Sequence, residues 1–192
     1  MSETTDLNKK ITRMLTVSET LGIDAATNAL EVIDYVHHEV HAGSHYFFQG
    51  AVEMGTTTTP LRIKIVTPDS TKWAHLLFKV TSSGIASHTL DEDATGGMTG
   101  GTAKVPFNSD RNSTKASDLV VTIGVDAATS YAARLNDDKW GAAGFKEGFG
   151  GSAGRDDELI LKENTTYLKT ITSYAASNLI QYMASWYEHT NK

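Results

Sequence analysis

The chain has no cysteine, only three prolines in 192 residues, and no apolar run beyond four or five residues. Without cysteine there is no disulfide, no thiolate metal site and no cysteine nucleophile. Apolar runs of this length fall far short of the ~20 residues that a membrane-spanning helix needs. The first residues, MSETTDLNKKITRMLTV, lack the apolar centre and cleavage site of a signal peptide. A soluble protein made in the cytosol is the expectation. Positive charge is also in short supply: 17 Lys and Arg stand against 23 Asp and Glu, a net charge of -6. That balance argues against a nucleic-acid coat, since binding phosphates requires a surplus of cations.

What is present is glycine, β-branched residues and clustered histidine. The segment WGAAGFKEGFGGSAGRDDE holds six of the 16 glycines, a density that marks loops, and ATGGMTGGTAKVPFNSDRNSTKASD reads as a second long polar loop. Between the loops the pattern is β. HYFFQGAVEM is aromatic and then alternating. LRIKIV sets Leu61, Ile63 and Ile65 on one face and Arg62 and Lys64 on the other. WAHLLFKVT is the nearly continuous apolar run of a more central strand. DLVVTIGV, ELILKE, TTYLKTIT and LIQYMASWYEHT add further strands, the last two separated by a turn at SYAASN. Seven or eight short strands with turn signals between them predict a mainly β protein, an antiparallel β-sandwich with the jelly roll as one version. Residues 1–28 are expected to form an N-terminal arm with a short helix at DAATNALEVI, and residues 29–192 the sandwich domain.

Four of the seven histidines, His37, His38, His41 and His45, fall within nine positions around Glu39. A zinc-protease helix requires His-Glu-x-x-His; here the order is His38-Glu39-Val40-His41, one residue short. Gly43 interrupts any helix that would align His37, His41 and His45, and the flanking EVIDYV and HYFF favour strands. On a strand His37, Glu39 and His41 would share a face, without a third ligand in sight. Hydrogen-bonded or interface histidines are the expectation, with no metal. DEDATGG lacks calcium-loop spacing and reads as a solvated turn. GFGGSAGRDD lacks the lysine of a phosphate loop, and Ser152 has no nucleophile-elbow context. No catalytic set and no cofactor site are expected. NSDRNSTKASD, with Arg111, reads as a solvent-exposed loop. Trp140 is placed in the following glycine-rich loop, and Trp186 in the last strand, in the core or at a subunit contact.

Taken in order, ALEVIDYVHHEVHAGSHYF, TPDSTKWAHLLFKV, NSDRNSTKASDL and GGSAGRDDELILKENTTYLKTITSYAASNLIQYMASWYEHT form a set that resembles a family of small virion structural proteins of tailed bacteriophages. The likeness covers most of residues 29–190 and is one of scaffold, not of catalytic motif. It implies a capsid decoration (cement) protein that stabilises the head by bridging major capsid subunits. The implied state is a homo-oligomer, commonly a trimer, located in the virion, with no enzymatic activity, no membrane and no direct nucleic-acid contact. A head-tail or tail component, or a carbohydrate-binding virion surface module, is the alternative. The interface residues expected are His37, His38, His41, His45, Arg111, Trp140 and Trp186, with residues 1–17 lying along a neighbouring subunit.

Overall fold

The computed structural model describes residues 35–56, 59–141, 149–150 and 157–190. The chain divides into two compact units, Met1–His38 and Glu39–Lys192. The expected arm and the helix at DAATNALEVI lie outside the described residues.

The second unit is a β-sandwich of two antiparallel sheets. Its strands are β1 (His45–Met54), β2 (Leu61–Val66), β3 (Lys72–Ser82), β4 (Ala86–Glu92), β5 (Gly100–Lys104), β6 (Phe107–Asn108), β7 (Val120–Val125), β8 (Ala133–Trp140), β9 (Phe149–Gly150), β10 (Leu159–Ile160), β11 (Thr166–Ser173) and β12 (Asn178–Thr190). One sheet has the order β10-β3-β12-β1-β6, with β9 also on β3; the other runs β5-β7-β2-β11-β4-β8. Leaving aside β5, β6, β7 and β9, the other eight strands read β1-β12-β3-β10 and β2-β11-β4-β8. This is the strand order of a jelly roll, in which the first strand lies beside the last and the second beside the last but one.

Alternation explains the layering. In β2, Ile63 and Ile65 are fully buried while Arg62 and Lys64 are not, as LRIKIV predicts. In β12 the even positions Ile180, Ala184 and Trp186 face inward, and Ala184 and Trp186 meet Tyr46, Phe48, Leu76, Leu90, Val121 and Tyr167 in the main core. Phe48 stands edge-on to both Trp186 and Phe78, at 6.0 and 6.3 Å between ring centres. A smaller cluster of Met54, Val80, Ala86, Ile171 and Ile180 continues the core towards the far end.

Two of the corners at which the chain changes sheets are adjacent, between β3 and β4 and at the predicted SYAASN turn between β11 and β12. Asn178, 1% exposed, ties both: its Nδ2 donates to Ile85 O and Ser173 Oγ at 3.1 Å, and its Oδ1 accepts from Ser83 Oγ at 3.2 Å.

Several sequence expectations need correction. YVHHEVH is not a strand: Tyr35–His41 is a helix, α1. Its end explains why the β-branched and aromatic flanks mislead. Gly43 sits at φ +67°, Gly43 N donates to Val40 O, and Ser44 N donates to Glu39 O, each at 2.9 Å. These two bonds form a Schellman cap that stabilises the last helical turn against local propensity. The two long loops also contain strands, β5 and β6 in one and β9 in the other, and the charged segment ARLNDDKW forms β8. DEDATGG is no solvated turn: Asp91 and Glu92 end β4, both buried, paired with Arg134 at 2.7 Å and Lys162 at 2.6 Å.

Candidate interaction surface

The capped end of α1 opens one end of the sandwich, where two of the segments quoted above come together. Asn108, buried at the end of β6, donates through Nδ2 to Gly43 O at 2.9 Å and to Lys115 O at 3.2 Å. Lys115 Nζ donates to Ala42 O at 2.7 Å, and Tyr46 OH donates to Ala116 O at 3.1 Å. A Cβ on Gly43 would stand 2.4 Å from Ser113 Oγ, so only glycine permits this approach. From the other side the buried Glu188 carboxylate accepts from Ser117 Oγ at 2.5 Å, Trp186 Nε1 at 2.8 Å and Asp118 N at 3.0 Å. The loop between β6 and β7 is therefore a braced platform and not a free excursion.

On this platform Arg111 is exposed, donates to Asn108 O at 3.3 Å and lays its guanidinium over the Phe107 ring at 5.4 Å. Phe107, 45% exposed, packs against Phe47 at 5.7 Å, and Lys104 Nζ lies 5.9 Å from the same ring. An aromatic ring beneath a guanidinium combines apolar area with directed donors, and aromatic residues and arginine are the types enriched at interfaces. The outward positions of β1, β3 and β12 continue this face with Trp73, Leu179 and Met183, each at least 36% exposed. On this face Gln49, Ala51, Lys79, Thr81, Gln181 and Met183 line a shallow depression of about 440 Å³ of mixed polar and apolar character.

At the edge of the same face lies a polar cluster that sequence spacing does not reveal. His75 Nδ1 meets Glu158 Oε1 at 2.6 Å, Tyr187 OH donates to the same oxygen at 2.6 Å, and His75 Nε2 meets His189 Nε2 at 2.8 Å. The His75 ring stacks on Tyr187 at 4.4 Å. The register that places His75 opposite Tyr187 and Trp73 opposite His189 assembles the group. A hydrogen bond between the two Nε2 atoms requires one of them to donate its N–H and the other to accept, so both nitrogens are turned towards each other. Among the described residues no set of three or more His, Asp or Glu side chains is disposed to hold a metal.

The expected interface residues separate into distinct environments. His37, His38 and His41 are exposed on α1. His45 begins β1, half-buried, with Nδ1 2.6 Å from Ser109 Oγ. Burial lowers its pKa, and the Glu39 carboxylate opposes that shift only in part. Arg111 lies on the platform, as described. Trp140 is not a loop residue: it ends β8, half-buried, donating to Ser82 Oγ at 3.0 Å and standing edge-on to His88 at 4.7 Å. Trp186 is 1% exposed and belongs to the core, so its ring offers no surface to a partner.

A second polar group sits between the sheets. Lys169, in the centre of β11, is 2% exposed. Its Nζ contacts His88 Nδ1, lies 3.5 Å from Asn136 Oδ1 and stands 5.1 Å from the Phe78 ring. Desolvation pushes its pKa down to about 7, against the pull of Asp138 and Asp91. His88 is pushed down to about 4 by burial and by Lys169. With Nδ1 accepting from Lys169, the His88 proton sits on Nε2, 3.6 Å from Asp138 Oδ2. The buried partners leave this pair structural.

Comparison with known proteins finds no matching family model, no matching curated protein and no matching solved structure.

Proposed function

We propose that this jelly-roll domain is a structural protein of a tailed-phage virion that binds a capsid surface through the face built around Phe47, Phe107 and Arg111. The observation that carries the reading is the braced platform. HHEVHAGSHYF and NSDRNSTKASDL, which share the resemblance to virion proteins, are held against each other by Asn108, Lys115 and Gly43. Rigid presentation lowers the ordering cost of binding. The exposed Phe107 and Arg111 supply the residue types that dominate interface energetics. Sandwiches of this topology recur in capsid and lectin proteins, an analogy of fold only.

In this reading the partner is the major capsid protein, and the domain decorates the head as a cement. It binds the assembled shell more tightly than the free subunit and so stabilises the particle by mass action. The test is copurification with phage heads in a fixed ratio to the major capsid protein. Phe107→Ala with Arg111→Ala is expected to lower occupancy at least tenfold while the domain remains folded. Presence on tails alone, or full occupancy by the double variant, contradicts the assignment.

A further inference from the structure

The two sheets treat their edges differently. β8 carries Arg134, Asp137, Asp138 and Lys139, and its pairing with β4 is broken by a register shift at Leu90/Asp91. Charges and bulges of this kind discourage further strand pairing. β5 is five residues long and begins with two glycines at positive φ. β1 has none of these guards. β6 pairs with it only at Tyr46 and Phe47, and among the described residues no strand pairs with Phe48–Met54 on that side. This seven-residue edge contains no proline and no lysine, and glutamate only at Glu53.

The direction of the free groups follows from the β6 pairing. Ser109 N donates to His45 O, so the odd positions of β1 turn their N–H and C=O towards β6, while the even positions face β12. Gln49, Ala51 and Glu53 therefore aim their backbone groups at the open edge, and all three are exposed.

We propose that β1 pairs antiparallel with β1 of a second copy about a two-fold axis at Ala51. In that register Ala51 faces Ala51 of the partner subunit, two small side chains that leave the axis clear. Gln49 meets Glu53 on one face, so the carboxylates do not oppose each other. On the inner face the register sets Gly50 beside Val52 and Phe48 beside Met54, the last two already buried in their own cores, so no charge faces the junction there. Three hydrogen-bonded pairs form, and each copy buries the same patch. The strand ends at Met54, so the incoming edge stops before it reaches β6. Gly50 fits as well: a Cβ there would stand 2.3 Å from Tyr182 Oη, and the Tyr182 ring backs the glycine from within. The first sheets of two copies then form one continuous sheet.

The absence of native cysteine makes the register directly testable. Directly paired Cα atoms of a hydrogen-bonded antiparallel pair lie about 5.5 Å apart, inside the range that a disulfide bridges. Under mild oxidation Ala51→Cys is expected to give a covalent dimer in high yield. Glu53→Cys, whose counterpart lies four positions along the partner strand, is expected to give little. Analytical ultracentrifugation of the unmodified protein should show a monomer–dimer equilibrium. Ala51→Pro removes an outward N–H that no described strand pairs with, and Ala51→Lys sets two ammonium groups across the axis. Each should weaken association about a hundredfold, with the thermal unfolding of the domain unchanged as the control for folding. A monomeric or trimeric wild type, equal crosslinking by both cysteine variants, or dimers indifferent to both Ala51 substitutions would overturn the proposal. None of these outcomes bears on whether the Phe107 face binds capsids.

Discussion

At the scale of single residues, the positions with the largest predicted effects are those whose neighbours leave one chemistry open. Gly43 combines a left-handed backbone with a Cβ position already taken by Ser113 Oγ. Gly43→Ala is expected to cost about 1–3 kcal/mol in denaturant unfolding, because backbone strain and steric displacement act together. At Gly50 an added Cβ would press on the Tyr182 hydroxyl and ring, but the backbone there is not left-handed, so the smaller loss is expected. Glu188 is surrounded by donors: Ser117 Oγ, Asp118 N and Trp186 Nε1 all point at its carboxylate. Glu188→Gln keeps the shape but replaces one acceptor with a donor. Stability should fall by about 1–3 kcal/mol, and Trp186 fluorescence should report the change, since its indole N–H loses a charged acceptor. A variant with an unshifted spectrum and unchanged stability would show that this carboxylate does not hold the platform.

At the scale of elements, the corners where the chain changes sheets concentrate the polar bonding of the sandwich. Asn178→Ala removes three hydrogen bonds from a fully buried corner and leaves Ile85 O without that donor. A loss of about 2–3 kcal/mol at constant denaturant slope is expected; a changed slope would instead mean that the two sheets have begun to unfold separately. The elements differ in how far the sequence announces them, and the reason is burial. β2, β3, β11 and β12 have neighbours on both sides, and β1 turns its even positions into the core, so alternation or continuous apolar character is imposed on HYFFQGAVEM and LRIKIV alike. β8 lies at an edge, where ARLNDDKW needs charge and has only one apolar neighbour sheet to satisfy. β5 is glycine-rich and reads as loop until β7 supplies its partner. α1 is set by a cap at Gly43 and Ser44 that lies outside the helix it stabilises, while its own residues lean towards strand. The candidate surface is least legible of all. Arg111 and Phe107 are visible in the sequence, but the cross-strand register that joins His75, Glu158, Tyr187 and His189 has no signature at any fixed spacing.

At the scale of the whole molecule, the buried Lys169–His88 pair predicts how stability follows pH. Lys169 has its pKa lowered in the folded protein, to about 7 from 10.5, chiefly by desolvation. The unfolded chain therefore holds the proton across the window from pH 7 to pH 10.5, and folding must release it. By linkage, stability is highest above the unfolded pKa, declines as pH falls through this window, and levels off below about 7. His88, lowered to about 4 from 6.5, repeats the pattern in a second window, so stability falls again between pH 6.5 and pH 4. Tyr46 and Tyr167 act at the other end. Both are raised to about 12, first by burial, so their contribution is lost as pH climbs above 10. The balance predicts a maximum near pH 9–10 rather than at neutrality. Lys169→Met isolates the first window, because methionine fills a similar volume without a charge to desolvate. At pH 7 the variant is expected to gain on the wild type, and by pH 9.5 that advantage should shrink by about 2–3 kcal/mol as the wild-type amine no longer resists burial. Urea unfolding of both proteins at the two pH values gives the difference directly. An advantage that stays constant between them would mean that the folded protein keeps Lys169 charged, with Asp138 and Asp91 outweighing the cost of desolvation.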